Sequence, residues 1–107
     1  MKLVIAVINR DDANAVSQAL VKGGFSSTRL ATTGGFLMAG NVTLMIGVDE
    51  TKVDEVIDII KEKSHSRKQF IPSTVEAGHG HFPGTPVEVT VGGATIFVVD
   101  VERFEHV

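Results

Sequence analysis

The stretch Leu3-Val4-Ile5-Ala6-Val7-Ile8, followed by Asn9-Arg10-Asp11-Asp12, decides the fold of this chain. Six consecutive apolar residues, most of them β-branched, predict a strand that is buried on both faces. Asp11 and Asp12 are typical helix N-caps, and apolar residues then recur at helical spacing. Gly23-Gly24 predicts the end of this helix, with a glycine in the left-handed backbone conformation. The chain therefore begins with a strand and an amphipathic helix.

The second half of the chain repeats this pattern. Residues 41–48 predict another strand, and Asp49 is expected to cap a helix whose apolar residues fall at i, i+3, i+4 and i+7. Residues 25–33 and 94–101 predict two further strands. Two strand–helix–strand halves predict an α+β fold, a ferredoxin-like βαββαβ subunit built as a split βαβ. Right-handed crossovers would put both helices on the same face of the sheet.

A long segment separates the second helix from the last strand. From residue 64 to about residue 86 the chain is rich in Ser, His, Gly and Pro, which predicts a mobile loop. Residues 87–91 alternate between apolar and polar and precede the two-residue turn signal Gly92-Gly93. Pairing of residues 68–71 with residues 87–91 would make the segment an extra hairpin before the last strand.

One face of this sheet has no cover within the chain. The strands at residues 3–8 and 96–101 are apolar on both sides, whereas the helices cover a single face. An apolar sheet face left bare would exceed the few hundred Å² that monomers normally expose. The pattern therefore predicts oligomerisation through the sheet, with a ligand site in the cleft between subunits.

Composition limits the functions that are open to the chain. Its 107 residues predict one domain, residues 1–107, and 43% apolar content with 21% charged residues excludes disorder. A net charge of −3 argues against nucleic-acid and membrane-surface binding. The chain has no cysteine and no apolar run near the ~20 residues that span a bilayer, so we expect a cytoplasmic protein.

The glycine-rich stretch at residues 31–41 is the most informative for function. Glycines after a strand let a ligand approach the backbone, and neighbouring threonines and Asn41 add uncharged donors. Phe36 and Leu37 are large apolar residues that a plain hairpin would not need. These features favour a site for a flat, anionic molecule such as a nucleotide. The alternative is an ordinary glycine-rich hairpin whose Phe36 fills a subunit interface.

Two segments resemble the PII-like cyclic di-AMP receptors of bacteria. They are residues 28–41, which include Thr-Thr-Gly-Gly-Phe-Leu, and residues 91–98, Val-Gly-Gly-Ala-Thr-Ile-Phe-Val. The resemblance extends over nearly the whole chain. It implies a non-enzymatic signal transduction protein, a homotrimer that binds cyclic di-AMP in each inter-subunit cleft and signals through loop ordering to a downstream protein. No cofactor besides this ligand is implied.

The family's ligand contacts carry over by position to eight residues, which are Thr28, Gly35, Phe36, Leu37, Asn41, Gly47, Phe97 and His106. The resemblance implies that the two phenylalanines pack on adenine rings and that backbone groups at Leu37 and Gly47 read adenine edges. It also implies that Thr28 and Asn41 donate to phosphate or ribose oxygens. For Phe97, within an apolar strand, the alternative is a core residue.

This sequence departs from the family at three of the relevant positions. Ser26 and Met38 are neutral where the relatives have basic side chains, and Arg29 should point away from the face that carries Thr28. His106 replaces an amide side chain, which would make that contact sensitive to pH. Less positive charge near the phosphates leaves open a trimer that binds AMP, ADP or ATP instead.

Metal binding and catalysis have weaker support. Gly78-His79-Gly80-His81 supplies two imidazoles, too few for a closed metal site unless three subunits converge, and a plain glycine-rich loop is the simpler interpretation. Arg67-Lys68 is either a solvated pair or a place that attracts phosphate. The acidic residues fit helix caps and a polar helix face, so we expect no enzyme. A small ferredoxin-like enzyme that uses the same cleft remains the alternative.

Overall fold

The computed structural model describes residues 1–30, 40–72 and 86–107. Along the chain its elements are β1 (Lys2–Asn9), α1 (Arg10–Lys22), β2 (Thr28–Leu30), β3 (Asn41–Val48), a 3-10 turn (Glu50–Lys52), α2 (Val53–Ser64), β4 (Arg67–Pro72), β5 (Pro86–Val91) and β6 (Ala94–Asp100). The predicted strand at residues 25–33 is seen as β2, and its last three residues lie outside the described part.

The main sheet has four antiparallel strands in the order β2-β3-β1-β6. Helix α1 connects β1 and β2, which lie on either side of β3. Helix α2, together with the β4–β5 segment, connects β3 and β6, which lie on either side of β1, as expected of a split βαβ. Strands β4 and β5 pair with each other in a separate two-stranded sheet, with Lys68 opposite Thr90 and Ile71 opposite Val87. The predicted hairpin is thereby confirmed, and the α+β architecture is compatible with a PII-like fold.

The core lies between one face of the sheet and the two helices. Alternate residues of β1, namely Val4, Ala6 and Ile8, are at most 1% exposed, and they pack with buried residues of α1 and α2. Burying each such aliphatic side chain stabilises the fold by about 1.5–3 kcal/mol. The intervening residues of β1 are only half-buried. Both helices lie on the same side, so a single chain buries one face of β1 and leaves the other uncovered, as predicted; that a further subunit buries the second face stays a prediction.

The start of α1 differs from the prediction. The N-cap is Asn9, whose extended backbone lets its side chain accept a hydrogen bond from the Asp11 backbone N–H at 2.8 Å. Asp11 and Asp12 instead lie in the first turn, where their charges favour the helix dipole. At the other end, Gly23 is right-handed and Gly24, with φ of +89°, supplies the left-handed residue.

Two predictions for the second half also need correction. Asp49 caps the 3-10 turn by accepting from the Thr51 backbone N–H at 3.0 Å, and α2 begins only after that turn. Gly92-Gly93 is not a hairpin turn, because β5 and β6 belong to different sheets. Both glycines have positive φ, and they redirect the chain from the hairpin into the main sheet.

The predicted loop at residues 64–86 begins with ordered structure. Ser64 is the buried last residue of α2, and its hydroxyl donates to the Ile60 carbonyl at 2.5 Å. Strand β4 starts three residues later. The sequence signal failed here because a polar composition is also found in an exposed two-stranded hairpin. Residues 73–85, including His79 and His81, lie outside the described residues.

Candidate functional site

The uncovered face of the main sheet is largely apolar, with threonines among its residues. Strand register aligns Thr28 of β2, Met45 of β3, Ile5 of β1 and Phe97 of β6 in one row. Residues of one row point to the same face, and this face is opposite the helices. Phe97 is 53% exposed, so it does not belong to the core of the single chain. We call this surface the open face.

A groove lies at one end of the open face. It has a volume of about 330 Å³ and is lined by strand and terminal residues, which are Met1, Leu3, Thr28, Met45, Gly47, Val101 and Phe104. Two of the predicted ligand residues, Thr28 and Gly47, thus lie in the same groove. Its volume lies within the roughly 300–1,000 Å³ that is usual for small-molecule sites.

Gly47 leaves part of this groove empty. A Cβ atom added at Gly47 would meet no atom of the described residues within 4 Å, and the φ of Gly47 lies outside the left-handed region. Neither backbone conformation nor crowding by the described part of the chain therefore requires glycine at this position. The space is available to something outside the single chain, either a ligand or a second subunit.

The chain termini form the remaining wall of the groove. The Val101 backbone N–H donates to the Met1 carbonyl at 3.2 Å, and the Lys2 ammonium pairs with Asp100. The hydrogen bond between their side chains lowers the pKa of Asp100 below its usual 3.8 and raises the pKa of Lys2 above its usual 10.5. These contacts hold the C-terminal segment against β1.

Asn41 lies at the opposite end of the open face. It begins β3, where it pairs with Asn9, and it lies six positions before Gly47. At ~3.3 Å per residue the two are about 20 Å apart. Asn41 borders a second, smaller groove of about 250 Å³ that also contains Thr95 and the Gly92-Gly93 corner. A single chain does not bring Asn41 together with Gly47.

The other predicted ligand residues lie apart from both grooves or outside the described residues. Phe97 is in the middle of β6, three strands from Thr28, which corresponds to about 14 Å. His106 is exposed, two residues beyond Phe104 in the C-terminal segment. Gly35, Phe36 and Leu37 lie outside the described residues.

Positive charge is directed away from the open face. Arg29, next to Thr28, donates to the Asn14 side chain of α1 at 3.0 Å, so it points to the helix side as predicted. The side chains that line the Thr28–Gly47 groove in the described part of the chain are all uncharged. Arg67 is not a solvated residue as expected, because it pairs with Asp12 at 2.9 Å. The groove is therefore suited to an uncharged part of a ligand.

Sequence reasoning missed the groove residues Phe104, Val101 and Met1. Met1 precedes the first predicted strand, Val101 ends the last one and Phe104 follows it. No local pattern indicates that the two ends of the chain meet. Pairing of β1 with β6 brings them together, since Lys2 lies opposite Asp100. An unexplained aromatic residue just after the last strand was the available signal.

In the ranges 1–30, 40–72 and 86–107, no group of three or more His, Asp or Glu side chains is arranged to hold a metal ion. Neither helix in the described part of the chain has the length and apolar character that a membrane crossing requires.

The whole chain matches a known family. The family model described as "Cyclic-di-AMP receptor" matches residues 1–107. Among solved structures, the chain is similar to the crystal structure of a functionally unknown protein from Pediococcus pentosaceus. The two are 42% identical, with a TM-score of 0.76 over 99% of this chain and 96% of the other. The predicted resemblance is confirmed: this chain belongs to the cyclic-di-AMP receptor family, which supports a role in sensing that nucleotide.

Proposed function

We propose that this protein is a non-enzymatic, PII-like receptor that binds cyclic di-AMP as a homotrimer, in the clefts between subunits. The observation that carries the proposal is the groove shared by Thr28 and Gly47 at the end of an uncovered sheet face. Two residues that the family resemblance assigns to the ligand thus line one cavity. Family membership supports the identity of the nucleotide.

The open face supports association with further copies of the chain. Phe97 and Val99 are 53% and 42% exposed on this face, next to half-buried residues of β1. Exposed apolar surface of this kind is usually covered by a partner. The number of subunits comes from the family resemblance, and we expect light scattering to return three times the chain mass of 11.4 kDa. A mass of one chain would contradict both the trimer and the site.

A charged substitution on the open face tests whether this face mediates association, independently of folding. Phe97→Glu should lower the mass measured by light scattering, because a buried carboxylate without a partner opposes assembly. The matched control is Phe70→Glu on β4, where the phenylalanine is 67% exposed outside the main sheet. Equal masses for both variants and the unmodified protein would exclude the open face as the interface.

The spacing of the ligand residues also supports an inter-subunit site. Asn41 and Gly47 lie about 20 Å apart on one strand, too far for one small ligand moiety to contact both. Phe97 is about 14 Å from Thr28. Assembly of neighbouring subunits is a direct way to combine such separated contacts around one nucleotide.

Ligand identity is tested by titration. Because the side chains lining the described groove are uncharged, we expect them to recognise the base and not the phosphates. Calorimetric titration with cyclic di-AMP, AMP, ADP and ATP should give the tightest binding for cyclic di-AMP, at one molecule per subunit. Tighter binding of a mononucleotide would favour the alternative adenine-nucleotide receptor. No heat and no thermal shift at high micromolar cyclic di-AMP would contradict the proposal.

The assignment as a non-enzyme rests on the family and on the roles of the acidic groups. Asp12 pairs with Arg67, Asp49 caps a turn, and Asp100 pairs with Lys2. Each of these carboxylates thus has a structural partner. Incubation with cyclic di-AMP should leave the nucleotide intact by chromatography. Turnover that is lost when one cleft residue is replaced would support the alternative, a small ferredoxin-like enzyme.

Signalling is proposed to occur through loop ordering in the part of the 64–86 segment that lies between β4 and β5. Its glycines and histidines give it little apolar surface to bury, so a bound nucleotide or a neighbouring subunit would supply the ordering free energy. Hydrogen exchange should slow in this segment when cyclic di-AMP binds. Equal exchange in the free and bound protein would contradict the mechanism. The downstream protein is not identified by any residue of this chain.

A further inference from the structure

Phe104 is the aromatic residue of the Thr28–Gly47 groove in the described part of the chain. Its side chain belongs to the C-terminal segment, four residues after the end of β6, and the residue is 65% exposed. An aromatic ring with so much exposed surface contributes little to the core of its own chain. A ring left in this state beside a cavity has a surface available to a ligand.

The C-terminal segment that carries Phe104 is held against β1 by a backbone hydrogen bond and an ion pair. On one side the Val101 backbone is bonded to Met1, and the Lys2–Asp100 ion pair joins β1 to the end of β6. On the other side Arg103 pairs with Glu105 at 2.8 Å. These contacts place the backbone that carries Phe104 beside Thr28 and Gly47, so the ring can reach a ligand in the groove without a rearrangement of the sheet.

The chemistry of the groove matches a purine base. Gly47 leaves open space, Leu3 and Met45 provide apolar surface, and the Thr28 hydroxyl can donate or accept at a ring edge. Phe104 supplies the face of an aromatic ring, on which a flat base stacks well. Phe97 cannot do so in the same subunit, because it lies three strands from Thr28.

We infer that Phe104 forms the wall on which an adenine ring of the ligand stacks, and that it determines the affinity of this groove for a purine. The inference rests on the proposed function. It adds a residue that belongs to the same subunit as Thr28 and Gly47, on a segment that the pairing of β1 with β6 brings to the groove.

A tryptophan at this position reports the contact directly. The chain contains no tryptophan or tyrosine, so Phe104→Trp creates its sole strong fluorophore. Titration of this variant with cyclic di-AMP should change its emission and should retain affinity, because indole also stacks on adenine. The matched control is Val21→Trp on α1, a position that is 69% exposed and belongs to the helix layer, and its emission should not change.

Phe104→Ala should weaken cyclic di-AMP binding by about tenfold to a hundredfold, with the melting temperature and the light-scattering mass unchanged. Unchanged affinity in Phe104→Ala, or constant emission of Phe104→Trp at saturating ligand, would overturn the inference while the proposed function stands. Absence of binding by the unmodified protein would overturn the proposed function itself. If the alanine variant has an altered mass, the emission of the tryptophan variant decides.

Discussion

The carboxylate of Asp12 and the guanidinium of Arg67 form a two-point contact across 55 positions of sequence. Nη2 donates to Oδ1 at 2.9 Å and Nη1 lies 3.4 Å from Oδ2, while Nη1 also donates to the His65 carbonyl at 3.2 Å. The side chain of Asp12 is 9% exposed and that of Arg67 is 35% exposed. This ion pair attaches the start of the β4–β5 hairpin to the first turn of α1.

Replacing Arg67 and replacing Asp12 should lower the free energy of unfolding by different amounts. Arg67→Met leaves the nearly buried Asp12 carboxylate without its cation, whereas Asp12→Asn leaves an arginine that can still reach water. We expect Asp12→Asn to lower the free energy of unfolding by about 1–2 kcal/mol and Arg67→Met to cause the larger loss. Urea denaturation of both variants checks the order. A greater loss for Asp12→Asn would contradict this account.

Much of the fold was predictable because its strongest signals are periodic. β3 was predicted at residues 41–48, its observed bounds, since an apolar strand between glycine-rich and capping residues has few alternative interpretations. The ends of elements were less predictable. Asn9 was missed as a cap because Asp11 and Asp12 are equally good cap residues, and only the extended backbone at Asn9 distinguishes them.

The empty space at Gly47 gives a prediction that separates binding from folding. In Gly47→Ala the added methyl meets nothing inside the chain, and a strand alanine is favoured over glycine, so stability should stay equal or rise by up to ~1 kcal/mol. The methyl should enter the volume that a ligand uses, so affinity for cyclic di-AMP should fall by about tenfold or more. Calorimetry and thermal melting measure the two effects.

The control for Gly47→Ala is Gly24→Ala. Gly24 also has free space around it, but its φ of +89° is costly for alanine. This variant should lose about 1 kcal/mol of stability and keep its affinity. Loss of stability in Gly47→Ala with unchanged affinity would mean that the groove is not the ligand site.

The candidate site was only partly predictable from the sequence. Thr28 and Gly47 were found through their motif, and the register of β1, β2 and β3 explains why they meet. Phe104 could not be found in this way, because its place in the groove depends on a contact between the two ends of the chain. Long-range pairing of that kind leaves no local pattern in the sequence.

The Lys2–Asp100 pair predicts a pH dependence. The pKa of Asp100 is lowered by the hydrogen bond from Lys2, so the pair stabilises the fold above the unfolded-state pKa of 3.8 and loses this effect as pH falls through the lower folded-state pKa. Asp100→Asn should lower the melting temperature by roughly 1–4 °C at pH 7, since the pair is exposed, and this difference should shrink as the pH falls below 3.8. The control Asp58→Asn removes an exposed carboxylate of α2 and should show no such loss at pH 7. A difference for Asp100→Asn that persists in acid would contradict the prediction.

Asn41 and Asn9 are partners in the strand register, and they should have opposite roles. Asn9 caps α1, so Asn9→Ala should lower the free energy of unfolding by about 0.5–2 kcal/mol and leave the affinity for cyclic di-AMP unchanged. Asn41 borders the polar groove with Thr95, and its amide can both donate and accept. If it contacts the nucleotide, Asn41→Ala should lose about 1–3 kcal/mol of binding, tenfold to a hundredfold in affinity, because a polar partner is left unpaired. We expect this pattern, with little change in stability.

The opposite result, a loss of about 0.5–1 kcal/mol of stability with normal affinity, would mean that Asn41 only shapes the start of β3. Calorimetric titration and urea denaturation of the two alanine variants, made side by side, distinguish these outcomes.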